Sequence, residues 1–244
     1  MLKVSQYRFL DGLTVFFVTV LIASNIASSA KIVDLGITLF GFWSIPPVHL
    51  AFDGGTLLFP IAYVLGDVLT EVYGFKVTRR VIWMGFIALS ITALFFFVLN
   101  LLPGEALWEE YAGSAAYAAI LGGMSSGGIV LASLSGFFAG NFSNSMILSR
   151  MKVLMKGRSL WIRVIASSLV GQMLDTVVFV SIASLTGVFA WELFATLVLT
   201  NYLFKVSIEV MVFPLTFFTV RKFKQAEGID VYDVGVKFNP FSLQ

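Results

Sequence analysis

Two carboxylates lie four residues apart in a segment that is otherwise almost entirely apolar. Asp67 and Glu71 interrupt the stretch PIAYVLGDVLTEVYG, which runs from Pro60 to Gly74. On insertion scales an ionisable side chain at the middle of a membrane helix costs about 2.5–3.5 kcal/mol, so such groups face a bundle interior, a cavity or a partner charge. Because residues i and i+4 share one face of an α-helix, the spacing predicts that both carboxylates line a polar interior.

Three further ionisable residues, Asp175, Lys205 and Glu209, fall within other apolar stretches. Gln172 precedes Asp175 by three residues and Asn201 precedes Lys205 by four, so each amide shares a helical face with a charge. More amides are available on other segments, namely Asn25, Asn141 and Asn144. Such a cluster is typical of the midplane site in which a transporter binds a small polar ligand.

The residue types also restrict the ligand. Carboxylates only accept hydrogen bonds, so they select ligands that are positively charged or rich in N–H donors. The edge of a guanine-like ring presents two adjacent N–H donors, which one carboxylate can accept together. A planar ring also stacks on aromatic side chains, for which the candidates are Tyr63, Tyr73, Trp161 and Tyr202. The alternative is that these polar groups only hold helices together, at about 1 kcal/mol each.

The composition indicates the environment that must hold this cluster. The 244 residues are 58% hydrophobic and 12% charged, with a mean hydropathy of +0.92, whereas a soluble domain has about 25% charged residues. The chain is therefore predicted to be an all-α integral membrane protein. It has no cysteine and one histidine, His49, which excludes disulfides, thiolate chemistry and multi-histidine metal centres. No cofactor, metal or nucleic-acid partner is expected. The lipid bilayer is the expected partner of the apolar surface.

Six stretches have nearly the 20 apolar residues that a membrane-spanning helix needs. They are Leu10–Ser29, Leu57–Tyr73, Val81–Leu102, Gly127–Leu148, Val164–Thr186 and Trp191–Phe218. Basic residues concentrate in the segments on one side of these spans, which hold 14 of the 16 lysines and arginines. The positive-inside rule makes that side cytoplasmic. Both termini are therefore predicted to be cytoplasmic.

The connecting segments carry weaker signals. Leu35–Gly55 is rich in glycine and proline and is predicted to form a short external hairpin or a re-entrant loop. Tyr111–Gly128 is predicted to be a flexible loop, and the GxxxG pattern at Gly136–Gly140 predicts a close approach of two helices. We divide the chain into a six-helix transporter domain, 1–218, and a basic cytoplasmic tail, 219–244.

Several of these motifs resemble the queuosine precursor transporters, also called the vitamin uptake transporter family. The resemblance covers most of the chain. The matching motifs are Ser24-Asn25, Pro60–Gly74 with Thr78–Arg80, SSxxGxxxDT from Ser167 to Thr176, and YxFK from Tyr202 to Lys205 with Pro214. The resemblance implies six helices in a bacterial inner membrane. It also implies a helix arrangement similar to that of the substrate-binding components of energy-coupling-factor importers.

The resemblance also implies a function. Family members import 7-deazaguanine precursors of queuosine, such as 7-cyano-7-deazaguanine, its aminomethyl relative or queuine, for salvage into tRNA. The resemblance implies that Asp67 and Asp175 contact the ligand or a coupling proton. It also implies that Lys205 pairs with Asp175 when the site is empty and that Asn25 is a polar contact for the ligand. The full set of candidate substrate-binding residues is Asn25, Asp67, Glu71, Gln172, Asp175, Asn201, Tyr202 and Lys205.

Three other functions stay open at this point. An intramembrane enzyme would use Asp67 and Asp175 as an aspartyl-type pair sharing a proton, but the chain is not expected to be an enzyme. A channel would form a symmetric oligomer with a continuous pore. A substrate-binding component of an ATP-driven vitamin importer would need a partner ATPase. For the importer itself, homodimerisation and proton coupling through Asp67 or Glu71 are both open.

Overall fold

Long apolar helices form most of the protein. The computed structural model describes residues 7–39 and 48–242. Its α-helices are α1 (Leu10–Ala30), α2 (Phe59–Val68), α3 (Phe75–Leu101), α4 (Ala106–Tyr111), α5 (Gly113–Ser125), α6 (Gly127–Leu154), α7 (Leu160–Leu185) and α8 (Phe194–Glu227). Among the described residues, five stretches are long and apolar enough to cross a membrane: Leu10–Ala30, Phe75–Leu101, Gly113–Leu154, Leu160–Leu185 and Leu197–Glu227. The predicted helical, multi-pass membrane architecture is confirmed.

The second predicted span, Leu57–Tyr73, is shorter than the others. α2 has ten residues, with Pro60 in its first turn, where a missing N–H costs little. It continues as a five-residue π-helical turn, Leu69–Tyr73, and the chain then turns at Gly74 with φ of 81°. The whole segment is about 22 Å long at 1.5 Å per residue, less than the roughly 30 Å hydrocarbon core. The count of six spans and the side of the termini therefore stay predictions.

A β-hairpin follows α1. Strand β1 (Ile32–Leu39) pairs antiparallel with β2 (Val48–Asp53), with Ile32 opposite Asp53 and Leu39 opposite Val48. The predicted hairpin in Leu35–Gly55 is confirmed, although its central residues, 40–47, lie outside the described ranges. The hairpin is a small addition to an otherwise helical chain.

The predicted flexible loop Tyr111–Gly128 is mostly a helix. α5 covers Gly113–Ser125 and follows α4 after a turn at Gly113, whose φ is 75°. Alanine is the strongest helix former, and the run SAAYAAIL explains why this segment is helical in spite of its glycines. The presence of a helix instead of a loop matters for the functional site, because α5 contributes to the wall of the cavity described below.

The start of α1 and the end of α8 lie at one end of the helix bundle, which we name the terminal end. The carboxylate of Glu227, at the end of α8, accepts hydrogen bonds from the backbone N–H groups of Arg8 and Phe9 at 3.0 and 2.7 Å. It also accepts a bond of 2.6 Å from the Tyr73 hydroxyl, where the π-helical turn ends. The start of α1 and the end of α8 are therefore adjacent.

The residues after α8 fold back onto the bundle. Asp233 accepts hydrogen bonds from the Phe75 backbone N–H at 2.8 Å and from Ser149 Oγ at 2.5 Å. Farther along, the Pro240 carbonyl accepts a bond of 2.8 Å from Trp83 Nε1, and Phe241 packs against the same indole. α8 continues to Glu227, and the residues after it contact the bundle. The division of the chain at residue 218 stays a prediction.

Helices α6 and α7 approach closely through glycines. A Cβ added at Gly140 would lie 2.6 Å from the Cβ of Asp175, and one added at Gly171 would lie 2.8 Å from the Cβ of Asn144. The close approach predicted from Gly136–Gly140 is confirmed. The contact brings two polar side chains of the candidate site, Asn144 on α6 and Asp175 on α7, next to the neighbouring helix.

Candidate functional site

A cavity of about 550 Å³ lies among the helices. This volume is within the range of about 300–1,000 Å³ that is typical of small-molecule sites. Its walls come from α1, α2, α3, α5, α6, α7 and α8. The polar lining includes Asn25, Asn144, Gln172, Asp175, Asn201 and Lys205. The aromatic lining consists of Phe17, Phe59, Tyr63, Phe137, Phe179 and Phe189. An apolar, aromatic cavity with a few convergent polar groups suits a small planar ligand.

The structure brings together most of the candidate residues. Five of the eight line the cavity: Asn25, Gln172, Asp175, Asn201 and Lys205. The other three, Asp67, Glu71 and Tyr202, are not among its lining residues. The lining candidates come from α1, α7 and α8.

Asp175 and Lys205 form an ion pair on the cavity wall. Lys205 Nζ donates to Asp175 Oδ2, and the two side chains are 24% and 22% exposed. Pairing offsets part of the cost of holding the charges in a low-dielectric interior. Because the pair is partly accessible from the cavity, a ligand N–H can compete with the ammonium for the carboxylate. The ion pair itself agrees with the expectation drawn from the family resemblance.

Gln172 is the centre of a second polar group. Its Oε1 accepts a hydrogen bond of 3.2 Å from the Tyr63 hydroxyl, and its Nε2 donates to Glu209 Oε2 at 3.3 Å. The other carboxylate oxygen of Glu209 accepts from Ser168 Oγ. Glu209 was not among the candidate residues, although its i,i+4 spacing from Lys205 was a signal for it.

Asp67 lies behind the cavity wall. Its side chain is 1% exposed, and its Oδ1 accepts a hydrogen bond of 3.1 Å from Asn144 Nδ2. Asn144 lines the cavity and Asp67 does not. Within the described ranges, the buried Oδ1 of Asn144 and the hydroxyl of Thr176, another lining residue, have no hydrogen-bond partner.

Glu71 lies at the terminal end instead of in the cavity. Its carboxylate is fully buried and receives Arg163 through Nη2 at 2.9 and 3.0 Å and through Nε at 3.1 Å. Lys224 Nζ is 3.0 Å away. The expected shared face with Asp67 assumed α-helical spacing, but Leu69–Tyr73 is a π-helical turn, in which hydrogen bonds span five residues instead of four. This geometry therefore gives Glu71 ion-pair partners and no cavity exposure.

The tail completes this cluster, which we name the Glu71 cluster. Lys152 Nζ donates to the carbonyls of Glu71 and Val231, each at 2.6 Å, and lies 2.5 Å from Asp230 Oδ1. Lys224 is 2.8 Å from the same carboxylate. Partial burial raises the pKa of Asp230, but hydrogen bonds from the two ammonium groups outweigh it, and the pKa is lowered overall. Lys152, assigned from sequence to a cytoplasmic loop, is 2% exposed.

The aromatic candidates separate in the same way. Tyr63 lines the cavity and stacks on Phe59, with ring centroids 6.4 Å apart and an interplanar angle of 21°. Tyr73 is hydrogen-bonded at the terminal end, and Trp161 is 57% exposed. Tyr202 is on α8, next to the lining residue Asn201. Of the four, Tyr63 is therefore the one with access to a ligand.

Comparison with known families assigns the chain to one of them. A sequence profile of the family described as "Putative vitamin uptake transporter" matches residues 53–219, more than half of the chain. The chain belongs to this family. The matched region contains each of the polar lining residues on α6, α7 and α8, while Asn25 on α1 lies before it. The vitamin uptake transporter family is a family of transporters and not of enzymes, so the aspartyl-type reading of Asp67 and Asp175 is set aside.

Three relatives of this vitamin uptake transporter family carry a more specific name. The "Queuosine precursor transporter" of Escherichia coli (strain K12) is 25% identical over 214 residues, which is 86% of each chain. The "Probable queuosine precursor transporter" of Haemophilus influenzae is 25% identical over 161 residues, covering 65% of this chain and 64% of the relative. That of Bacillus subtilis (strain 168) is 25% identical over 167 residues, covering 67% and 69%. No solved structure matches the chain.

Proposed function

We propose that this vitamin uptake transporter family member imports 7-deazaguanine precursors of queuosine across the bacterial inner membrane for salvage into tRNA. The candidates are 7-cyano-7-deazaguanine, 7-aminomethyl-7-deazaguanine and queuine. The observation that carries the proposal is the cavity itself, which has a volume of about 550 Å³ and is lined both by acceptor groups, such as those of Asp175 and Gln172, and by aromatic rings. The names of the bacterial relatives support the same ligand class.

Asp175 is the group that we propose to dock the ligand. A guanine-like edge carries a ring N–H and an exocyclic amino group side by side, and one carboxylate accepts both. The ligand would take over the carboxylate from Lys205, which stays close enough to balance the charge. The stacked pair of Phe59 and Tyr63 offers a flat wall against which the heterocycle packs. Asn25 and Asn201 supply further polar contacts from α1 and α8.

We also propose that the site is near the middle of the bilayer and that the chain crosses the membrane six times. Gln172 and Asp175 lie about halfway along α7, which supports a midplane site. An even number of crossings agrees with the adjacency of the start of α1 and the end of α8, and the basic residues favour cytoplasmic termini. Homodimerisation and proton coupling stay predictions.

Rescue of tRNA modification tests the substrate. The chain is expressed in a bacterium that can neither synthesise nor import queuosine precursors, each precursor is supplied in turn, and queuosine is measured in isolated tRNA. Restoration by at least one precursor is expected, with the Asp175→Asn variant as a matched control that inserts but does not restore. Absence of queuosine with every precursor, while the protein is present in the membrane, would reject the proposal.

Reconstitution separates a self-sufficient importer from a component that needs an ATPase. The purified chain in liposomes, without any partner, should accumulate labelled precursor inside the vesicles. Uptake that appears only after a partner ATPase and ATP are added would favour the substrate-binding component of an ATP-driven importer. Imposing a pH gradient in the same vesicles separates proton-coupled import from facilitated entry.

A further inference from the structure

Two amide side chains on the cavity wall are each held from behind by a carboxylate. Asn144 donates its Nδ2 to Asp67 at 3.1 Å, and Gln172 donates its Nε2 to Glu209 at 3.3 Å. Both amides line the cavity, whereas neither carboxylate is among its lining residues. Both carboxylates are buried, with Asp67 1% and Glu209 8% exposed. The same arrangement therefore occurs twice, on different helices.

A carboxylate behind an amide determines which end of the amide faces forward. An ionised carboxylate only accepts hydrogen bonds, while an amide has an N–H₂ donor at one end and an oxygen acceptor at the other. The amide nitrogen must therefore turn to the carboxylate, and the assignment of nitrogen and oxygen follows from that network. The oxygen is left on the side away from the carboxylate.

The oxygens of the two amides agree with this orientation. Gln172 Oε1 accepts from the hydroxyl of Tyr63, a lining residue. Asn144 Oδ1 is buried and, within the described part of the chain, unpartnered, as is the hydroxyl of Thr176. A buried acceptor without a partner is costly to the fold, and an N–H donor of a bound ligand is the group that would satisfy it. The unpartnered oxygen of Asn144 thus points to the same ligand chemistry as the two amides held by carboxylates.

We propose that Asp67 and Glu209 are positioning residues that turn the amide oxygens of Asn144 and Gln172 toward the ligand. Together with Asp175, these amide oxygens give the cavity a row of acceptors that selects for N–H donors on a planar heterocycle. This assignment rests on the proposed function, since it concerns how the same cavity tells a guanine-like ring from analogues. It makes Asp67 a residue that acts through Asn144.

A pair of ligands that differ by one donor tests the assignment. Binding of 7-cyano-7-deazaguanine and of its analogue without the exocyclic amino group is measured with the purified full-length protein. A site built to hydrogen-bond a group strongly disfavours an analogue that lacks it. Asp67→Asn and Glu209→Gln keep the shape but can donate as well as accept, so the neighbouring amide is free to reverse. Each is expected to lower the preference for the amino ligand about fivefold or more, with affinity for the analogue changed less than about threefold.

Two further variants make the test specific. The double variant Asp67→Asn/Asn144→Asp keeps one amide and one carboxylate but puts a pure acceptor on the cavity side, and it should recover the preference. Asp233→Asn is the matched control, because this buried carboxylate accepts from Phe75 N and Ser149 Oγ at the terminal end. It should lower stability and leave the preference unchanged.

The outcomes separate the two proposals. Equal losses of affinity for both ligands in Asp67→Asn and Glu209→Gln, with an unchanged preference, would overturn the positioning roles alone. Failure of the double variant to recover the preference would overturn the role of Asp67. Binding of neither ligand by the unmodified protein would overturn the proposed function and this assignment together.

Discussion

Carboxylates within apolar helical segments occur in two regions of this protein, and the two regions satisfy them differently. In the Glu71 cluster, the fully buried carboxylate is surrounded by Arg163, Lys152 and Lys224, all within 3.9 Å. At the cavity, the Asp175–Lys205 pair is about a quarter exposed, and within the described ranges the Oδ1 of Asn144 and the hydroxyl of Thr176 have no hydrogen-bond partner. The protein supplies basic partners for the Glu71 carboxylate, whereas two buried polar atoms of cavity-lining residues are left without a partner.

The comparison shows why a carboxylate in an apolar helix is not by itself a functional residue. Glu71 and Asp67 belong to one short segment and carry the same cost of burial. What separates them is the direction in which the backbone turns them, because the π-helical turn Leu69–Tyr73 begins between the two. One carboxylate then meets basic side chains from α6, α7 and α8, and the other meets an amide of the cavity wall.

The largest expected effect breaks the Glu71 cluster. Glu71→Ala leaves Arg163 buried without its carboxylate and leaves Lys152 with Asp230 alone, and removing one partner of a buried ion pair costs about 3–5 kcal/mol. We expect a large fall in the melting temperature of the detergent-solubilised protein, measured by the fraction that stays monodisperse after heating. Glu105→Ala, at an exposed N-cap outside the cluster, is the control. Normal stability together with lost ligand binding would show that Glu71 serves the ligand after all.

The next effect concerns the cavity and should have the opposite signature. Asp175→Asn removes the charge that we propose to bind the ligand, and hydrogen bonds to charged groups are worth about 1.5–3 kcal/mol. Uptake should fall about 10- to 100-fold, while melting temperature changes little because the Asp175–Lys205 pair is partly exposed. Uptake in liposomes and thermal stability are measured on the same preparation. Uptake at the unmodified level would remove Asp175 from the site.

The sequence predicted those parts of this comparison that depend on local patterns. Hydropathy located α1, α3, α6, α7 and α8 to within several residues at most ends, because long apolar runs determine membrane helices. Local spacing also placed Gln172 on one helical face with Asp175, and Asn201 on one face with Lys205, and all four residues line the cavity. The GxxxG pattern predicted the close approach of α6 to its neighbour.

The parts that depend on distant contacts could not be predicted in this way. Glu71 and Arg163 are 92 residues apart, and Asn144 and Asp67 are 77 apart. The positive-inside rule treats Arg163 and Lys152 as loop residues, and it has no means of recognising a basic side chain that is buried by a returning tail. Helical spacing placed Glu71 beside Asp67, since a π-helical turn has no strong local sequence signal. Glu209 had a local signal in its spacing from Lys205, but its hydrogen-bond partners, Ser168 and Gln172, lie on another helix, α7.

A smaller effect tests whether the cavity depends on the helix contact that supports it. In Gly140→Ala the new methyl group would lie 2.6 Å from the Cβ of Asp175 and 3.1 Å from the Gly171 carbonyl oxygen. Overpacking typically costs about 1–3 kcal/mol, and here it would also displace Asp175, so stability and uptake should fall together. Gly122→Ala, with no atom within 4 Å of the added Cβ, should leave both unchanged. An unaffected Gly140→Ala protein would mean that α6 and α7 separate without cost.

The smallest expected effect sharpens the comparison from the side of the Glu71 cluster. Because hydrogen bonds from Lys152 and Lys224 lower the pKa of Asp230, its folded-state pKa is below the unfolded value of about 3.9. The carboxylate therefore stabilises the fold above that unfolded value, and this contribution disappears as the pH falls through the folded-state pKa.

The measurement is the difference in melting temperature between the unmodified protein and Asp230→Asn, followed from pH 7 down to pH 3. The difference should be modest, since the Asp230 side chain is 43% exposed, constant above about pH 5 and smaller in acid. A difference that grows on acidification would reverse the sign of the interaction. It would then follow that the tail does not supply a charge to the Glu71 cluster, and that the buried carboxylate of Glu71 alone balances the basic residues around it.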